Sequence, residues 1–186
     1  MRRRLPVMRT LVFITSLAVQ PALADCPAAP NIIDAESDIF ARIQSAETEM
    51  AARVLSNGLW ELWTMAPDEP AQALLDRGIN ARAAYSFVDA TDAFDRLVDY
   101  CPDYAEGYNQ RAFVAFLRQD FEAALTDLDR AIALSPRHVG ALSGKALSLM
   151  GLGRNDEAQV VLREAVGLNP WLSERHLLID PPGDAL

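Results

Sequence analysis

The sequence is poor in the residues that most often build catalytic and metal sites. It contains two histidines and two cysteines, and neither type occurs at the paired spacing that binds a metal. There is no CxxC pair for redox catalysis, and no GxSxG, P-loop or dinucleotide-binding fingerprint. The sequence therefore predicts no catalytic residue, no metal and no cofactor, and a non-catalytic role is expected.

Long apolar runs are also missing, with one exception near the N-terminus. The ten-residue run TLVFITSLAV follows the basic stretch MRRRLPVMR and precedes Ala22 and Ala24, which stand at the small-residue positions of a cleavage site. The run is too short to span a bilayer comfortably as a helix. The pattern predicts a signal peptide over residues 1–24, cleaved after Ala24, and no stable membrane insertion afterwards. An uncleaved N-terminal anchor is the alternative.

Basic residues are few, with 17 against 26 acidic ones. Cleavage after Ala24 would remove four arginines and no acid, leaving 13 basic residues against 26 acidic ones and a net charge of −13. A surface this acidic repels phosphate backbones and anionic lipid. Nucleic acid is therefore not an expected partner.

The chain repeats itself at a period of 34 residues. The stretch FEAALTDLDRAIALSP (121–136) returns as NDEAQVVLREAVGLNP (155–170) and, upstream, as FVDATDAFDRLVDYCP (87–102). The columns that keep their character are Gly78, Ala112, Ala146; Ala90, Ala124, Ala158; Phe94, Leu128, Leu162; Val98, Ile132, Val166; and Pro102, Pro136, Pro170. Apolar residues recur at helical spacing, and each closing proline ends a helix. Each unit is therefore a helical hairpin that must stack on its neighbour to bury its apolar face.

The period, the small-residue columns and the closing proline resemble the tetratricopeptide repeat (TPR) family. The middle unit is nearest to the family pattern, whereas the first has Tyr85 where a turn glycine is usual. The resemblance implies an all-α solenoid of three helix-turn-helix repeats at 71–104, 105–138 and 139–172. The phrases EGYNQRAF, HVGALSGKAL and LNPWLSER resemble exported bacterial TPR proteins, which implies a periplasmic location.

Helical caps are expected on both sides of this array. Residues 25–33 form a linker, and 34–70 form an N-terminal cap. One cap helix is predicted over 35–56, with Asp34 as N-cap and Asn57-Gly58 as its end. Residues 173–186 form a short C-terminal cap and a frayed tail.

Two aromatic residues and two cysteines are predicted to link the N-terminal region to the first repeat. Trp60 and Trp63, three residues apart, are expected to pack on that repeat. Cys26 and Cys101 can pair in an oxidising compartment, and the loop they close predicts about 4 kcal/mol of stabilisation in the chain-entropy model. Two free thiols, with Cys101 buried, are the alternative.

The resemblance places the candidate binding site on the concave face, which the first helix of each repeat lines. The implied groove residues are Arg82, Asn109, Phe113, Phe116, Leu117, Leu147 and Met150. This groove is mostly apolar and suits an amphipathic helix or another hydrophobic segment of a protein or peptide partner. Some family members bind a carboxylate there with lysines and asparagines, but the matching positions carry Asn109 and no lysine.

The remaining polar residues are expected at the surface. Asp127, Asp129, Glu122, Asp156 and Glu157 are predicted to face solvent, and His138 is predicted to be a surface residue. An enzyme would require His138 together with an acid brought near by folding.

Two functions are retained for the chain. One is a periplasmic adaptor or scaffold that binds proteins in the groove. The other is a self-assembling structural protein whose groove is filled by its own N-terminal helix or by a second copy in a homodimer.

Overall fold

The structure is a computed structural model that describes residues 25–179. The predicted signal peptide and the residues after 179 lie outside the described part of the chain. Between 25 and 179 the chain forms eight α-helices and one 3-10 helix and contains no strand. The helices are α1 (Ile33–Gln44), α2 (Glu49–Trp63), α3 (Glu69–Ala83), α4 (Phe87–Tyr100), α5 (Ala105–Leu117), α6 (Phe121–Leu134), α7 (Val139–Gly151), α8 (Asn155–Leu168) and the 3-10 helix Ser173–Leu177.

The predicted all-α solenoid of helix-turn-helix repeats is confirmed. Helices α3–α4, α5–α6 and α7–α8 pair as three successive hairpins, and α4 packs on α5 as α6 packs on α7. Pro102, Pro136 and Pro170 each stand two residues after the last residue of a second helix. A proline there cannot continue the helix and directs the chain into the next repeat.

Small residues let the two helices of each hairpin approach closely. At Gly78 in α3, a Cβ atom would lie 2.3 Å from the Phe94 ring of α4, which is fully buried. Ala112 of α5 and Leu128 of α6 occupy the equivalent positions in the next hairpin, and both are buried in one cluster. The close-packed interior therefore explains the small-residue columns of the repeat.

The turn inside each hairpin requires a left-handed backbone at one equivalent position. Tyr85, Gln119 and Gly153 have φ values of 59°, 61° and 73°. These residues are 34 positions apart, so the three turns share one geometry although only the third has glycine. Residues with a Cβ atom are strained in this region.

Substitutions at these turns should have opposite effects on stability. We expect Gln119→Gly to raise the free energy of unfolding by about 0.5–1 kcal/mol, because it relieves left-handed strain. Gly153→Ala should lower it by about 1 kcal/mol. A Cβ at Gly153 would meet no atom within 4 Å, so a steric clash would not contribute. Urea denaturation followed by circular dichroism measures both changes, and the same sign for both variants would contradict the explanation.

The N-terminal region differs from the prediction of one long helix. Two helices, α1 and α2, form instead, separated by a break at residues 45–48. Thr48 caps α2 because its Oγ1 accepts a hydrogen bond from the Ala51 amide at 3.2 Å. Asn57-Gly58 lies inside α2, where Gly58 lets the Ile39 side chain of α1 approach. Asp34 is in the first turn of α1 and is not its N-cap.

The cysteines are bonded to each other in the structure. The Cys26–Cys101 disulfide has an S–S distance of 2.00 Å and joins residues 75 positions apart. Cys101 is buried in the core of the first repeat, directly after α4. The disulfide therefore attaches the segment before α1 to the solenoid.

The C-terminal 3-10 helix covers the last repeat. The Gln159 side chain of α8 donates a hydrogen bond to the Leu177 carbonyl at 2.9 Å and accepts one from the Ile179 amide at 2.8 Å. A search of residues 25–179 finds no helix with the length and apolar character needed to cross a membrane.

Candidate functional site: the concave groove

The first helices of the repeats, α3, α5 and α7, line one side of the solenoid, and α2 lies against them. Between α2 and these helices is a cavity of about 540 Å³, which we call the groove cavity. Its walls include Trp60 from α2, Arg82 from α3, Gln110 and Phe113 from α5, and Leu147 from α7. Helices α1 and α2, residues 33–63, form a pair that we call the N-terminal hairpin.

The N-terminal hairpin packs on the start of the third repeat. The Trp63 ring stacks on the His138 ring, with centroids 3.9 Å apart and planes 19° from parallel. Trp60 lies beside these two rings. A Cβ atom at Gly140 would lie 2.7 Å from the Trp60 indole. The prediction that both tryptophans pack on the first repeat was therefore wrong. The absence of a side chain at Gly140 leaves room for Trp60 on α7.

Helix α1 fixes the other side of the hairpin to the same repeat. Phe40 and Ile43 are buried with Val139 and Leu142 of α7 and Ala165 of α8 in one hydrophobic cluster. The hairpin therefore covers part of the concave face through an apolar interface like that inside a domain.

Hydrogen bonds position the Trp63 indole in this interface. Trp63 Nε1 donates to Glu36 Oε1 at 3.0 Å, and the Trp63 carbonyl accepts a bond from Tyr104 Oη at 2.8 Å. Glu36 and Tyr104 are both buried. Because polar atoms buried without partners are costly, these bonds favour a single orientation of the hairpin.

His138 is fully buried, so the prediction of a surface histidine was wrong. Its Nδ1 accepts a hydrogen bond from the Ala141 amide at 3.1 Å and caps α7. The ring proton is therefore on Nε2, which lies 2.8 Å from Glu106 Oε2. Folding does bring an acid to His138, but neither Glu106 nor His138 lines the groove cavity. The pair supports the Trp63 contact and the start of α7.

Two amides of α5 complete the environment of Glu106. Asn109 Nδ2 donates to Glu106 Oε2 at 3.0 Å, and Gln110 Nε2 donates to Oε1 at 2.5 Å. Both amide side chains also line the groove cavity. Because the Glu106 carboxylate accepts a hydrogen bond from each amide nitrogen, it fixes the orientation of both amide groups.

Arg82 of α3 is a charged residue in the part of the cavity wall that the first repeat contributes. Its guanidinium carbon lies 4.5 Å from the centre of the Phe113 ring, a cation–π arrangement. Burial lowers the pKa of Arg82 from its ordinary value, and the attraction of Glu106 opposes that shift. Within residues 25–179, no carboxylate lies within salt-bridge distance of Arg82.

The structure places five of the predicted groove residues around the cavity and two outside it. Arg82, Asn109, Phe113, Phe116 and Leu147 line the cavity. Leu117 is 40% exposed and lies outside the cavity, and Met150 packs instead against the cluster of Leu125, Leu149 and Ala158.

Sequence reasoning missed the wall that α2 contributes, including Arg53, Asn57 and Trp60. The Trp60–Trp63 spacing was the available signal, but it did not show which repeat the tryptophans contact.

Asp127 was also predicted wrongly, because it is buried and not solvent-facing. Both of its carboxylate oxygens accept hydrogen bonds from Arg111 at 2.7 Å, and this pairing raises the pKa of Arg111. The pair joins α5 to α6 away from the groove cavity. Among residues 25–179, no cluster of three or more histidine, cysteine or acidic side chains has the arrangement of a metal site.

Comparison with known proteins places this architecture in a family. No protein-family model matches the chain. A TPR repeat-containing protein of Rhizobium etli is 38% identical over 68 residues, covering 37% of this chain and 33% of that protein. Human tetratricopeptide repeat protein 36 is 30% identical over 131 residues, covering 68% of this chain and 69% of that protein. The chain belongs to the tetratricopeptide repeat family.

The extent of these matches differs between relatives. This TPR chain spans about a third of the length of the Rhizobium etli protein and 38% of a tetratricopeptide repeat protein 36 homolog of Nematostella vectensis, to which it is 41% identical over 70 residues.

Solved TPR domains have the same fold. The Arabidopsis OM64 TPR domain superposes with a TM-score of 0.56 at 20% identity, covering 57% of this chain and 88% of that domain. The first TPR of Spaghetti (RPAP3), bound to an HSP90 peptide, gives 0.55 at 23% identity, covering 56% and 82%. TPR2B of yeast Sti1, in complex with Hsp70, gives 0.54 at 22% identity, covering 58% and 89%.

Proposed function

We propose that this TPR protein is a non-catalytic adaptor or scaffold that binds a segment of another protein in its concave groove. One observation carries the proposal: the N-terminal hairpin covers only part of the concave face. It leaves a cavity of about 540 Å³ beside α2. Trp60 and Phe113 line this cavity and are 40% and 41% exposed, so both aromatic side chains are accessible to a partner.

The solved relatives support a peptide-binding role. The Spaghetti TPR domain is bound to an HSP90 peptide, and the yeast Sti1 domain is in complex with Hsp70. In this chain α2 forms one wall of the groove. A short partner segment that inserts apolar side chains beside Phe113 fits this geometry better than a complete helix about 10 Å wide.

The proposed site of action is the bacterial periplasm, after cleavage at Ala24. The basic and apolar N-terminal segments support export. The Cys26–Cys101 disulfide is of the kind that persists in an oxidising compartment. Expressing the full chain in a bacterium and determining the N-terminal residue of the periplasmic fraction tests this location. Asp25 is the expected first residue.

Groove binding is tested with the mature chain from residue 25 and a charge introduced at Phe113. We expect Phe113→Glu to abolish capture of a partner from an envelope extract, because a carboxylate would be placed at the apolar wall. Val160→Glu is the matched control, since Val160 is an exposed apolar residue of α8 outside the cavity.

The captured partner then provides a direct measurement. A peptide from its contact segment should bind the wild-type chain and Val160→Glu equally in calorimetry, and bind Phe113→Glu at least about tenfold more weakly. Equal binding to all three proteins would refute the groove as the binding site.

A self-assembling structural role is the second proposal. Met50 and Val54 are 67% and 64% exposed and lie one helical turn apart on the outer side of α2. Light scattering of the mature chain and of a Met50→Glu, Val54→Glu variant tests whether two copies pair there. A monomeric wild-type chain would eliminate this role.

A further inference from the structure

Two polar oxygens in the wall of the groove cavity are unpaired but accessible. Asn109 of α5 and Ser143 of α7 line the cavity, and each is 6% exposed. Among residues 25–179, Ser143 Oγ has no hydrogen-bond partner, and the side-chain bond of Asn109 uses Nδ2 and leaves Oδ1 unpaired. Neither oxygen is sealed from solvent. A ligand in the cavity can therefore reach both oxygens.

The Ser143 hydroxyl differs from those of two serines in nearby helices. Ser56 of α2 and Ser148 of α7 each donate to the carbonyl four residues earlier, at 2.9 and 2.8 Å. This local bond is a common partner for a serine inside a helix. Ser143 has no such bond among residues 25–179, so its hydroxyl is left for a molecule in the cavity. Buried polar groups without partners are rare, and a bound ligand that supplies the partner explains this one.

Asn109 and Ser143 occupy the same position in successive repeats, because they are 34 residues apart. Their helices α5 and α7 pack against each other, and the axes of packed helices are about 8–10 Å apart. A ligand of about that length can contact both residues. On the α2 side of the cavity, Asn57 adds an amide that is also unpaired among residues 25–179.

The charged residues of the cavity wall balance each other. They are two carboxylates and two guanidiniums, those of Glu49, Glu174, Arg53 and Arg82. Arg53 forms an ion pair with Glu49 at 3.1 Å. A wall without net charge gives an ionic ligand no general electrostatic advantage. The Asn109 oxygen also requires a hydrogen-bond donor, which an ionised carboxylate does not have. These features favour a neutral ligand that carries O–H groups.

Trp60 supplies an aromatic surface in a fixed orientation. Its indole meets Trp63 edge to face, with centroids 5.4 Å apart, and its six-membered ring lies where Gly140 has no side chain. The indole still lines the cavity and is 40% exposed. The face of an aromatic ring carries partial negative charge and attracts C–H groups. A pyranose ring has C–H groups on its faces and O–H groups at its rim, so it matches an aromatic surface beside polar oxygens.

We propose that the groove cavity binds a neutral sugar of one or two pyranose rings. A sugar ring stacks on Trp60, one of its hydroxyls donates to Asn109 Oδ1, and another pairs with Ser143 Oγ. The cavity volume of about 540 Å³ lies within the range of small-molecule sites, about 300–1,000 Å³. This site goes beyond the proposed function, because it takes a free small molecule and requires no protein partner.

Matched probes test the site by NMR titration of the mature, disulfide-bonded chain. Methyl β-D-glucopyranoside and cellobiose have equatorial hydroxyls and free C–H faces. The compound 2-(hydroxymethyl)tetrahydropyran keeps the ring but lacks the ring hydroxyls, whereas sorbitol keeps the hydroxyls without a ring. We expect the methyl glucoside to bind at least about tenfold more tightly than either analogue, because each analogue loses one of the two kinds of contact. Cellobiose should bind at least as tightly as the methyl glucoside.

Variants assign the two kinds of contact to particular residues. Ser143→Ala should weaken binding of the methyl glucoside by about threefold to tenfold. It should leave binding of the tetrahydropyran analogue unchanged, which also shows that the cavity is intact. Trp60→Leu should weaken binding of both ring compounds, because both stack on the indole. Ser148→Ala is the matched control, since it removes a hydroxyl from the same helix outside the cavity, and it should keep the wild-type affinities.

The outcomes separate this inference from the adaptor proposal. Absence of binding by both sugars, or equal binding of the methyl glucoside and the tetrahydropyran analogue, would overturn the sugar site. Sugar affinity that survives both Ser143→Ala and Trp60→Leu would do the same. Partner capture that is lost in Phe113→Glu, without sugar binding, would support the adaptor alone. Sugar binding by a chain that captures no protein would support the sugar site and oppose the adaptor role.

Discussion

Removing the Cys26–Cys101 disulfide is expected to lower the free energy of unfolding by about 4 kcal/mol in the chain-entropy model. The effect is large because the bonded residues are 75 positions apart, so the bond restricts a long loop of the unfolded chain. The loop includes the whole N-terminal hairpin and the first repeat. Urea denaturation of the mature chain, oxidised and then reduced, measures the difference.

The Cys26→Ser, Cys101→Ser double variant controls for other effects of the reductant. Its denaturation curve should match that of the reduced wild-type chain and should not change when reductant is added. Coincident curves for oxidised and reduced wild-type protein would show that the disulfide does not stabilise the fold.

Trp63→Ala is expected to lower the free energy of unfolding by about 3–5 kcal/mol, the usual cost of truncating a large buried aromatic side chain. Trp63 is 3% exposed and stacks on His138. The substitution also removes the donor to the buried Glu36 carboxylate, which among residues 25–179 then keeps only Arg137 at 3.9 Å. Thermal or urea denaturation followed by circular dichroism checks the value.

Trp60→Ala is the matched control for this prediction. Trp60 lies one turn earlier in α2 but is 40% exposed, so its loss should cost less, about 2 kcal/mol. Similar losses for both variants would mean that the N-terminal hairpin does not pack on the third repeat as described. Hydrogen exchange of the α1 and α2 amides, which should accelerate in Trp63→Ala, locates the change.

The N-terminal hairpin changes what the concave groove can bind. Its apolar contacts with α7 and α8 occupy one part of the face, and its α2 helix encloses the rest. The groove is therefore a cavity with α2 as one wall, and its lining combines polar side chains with Trp60, Phe113 and Phe116. This geometry favours short segments and small molecules over long helices.

The solenoid itself could be predicted because its information is local and repeated. Helical spacing, the closing prolines and the alanine columns lie within 34 residues and recur. Each unit therefore strengthens the prediction that the other units are helical hairpins. The resemblance to the TPR family implied which faces of the first helices would be concave. Five of the seven groove residues line the cavity for this reason.

The errors concern residues whose environment is set by distant parts of the chain. His138 follows a closing proline, a position that resembles an exposed turn, yet Trp63 covers it from 75 positions earlier. Asp127 lies on a polar stretch of α6, yet Arg111 of α5 pairs with it. Neither partner could be assigned from spacing along the sequence.

The sequence alone determined the number of repeats, their helical character and the identity of the two cysteines able to pair. These properties follow from periodicity and composition, which each segment carries in itself. The tertiary structure alone decided that the hairpin of α1 and α2 packs on the third repeat and that Glu106 and His138 are buried together. Those outcomes depend on packing between surfaces far apart in the chain, where the fit of Trp60 over Gly140 and of Trp63 on His138 selects one arrangement.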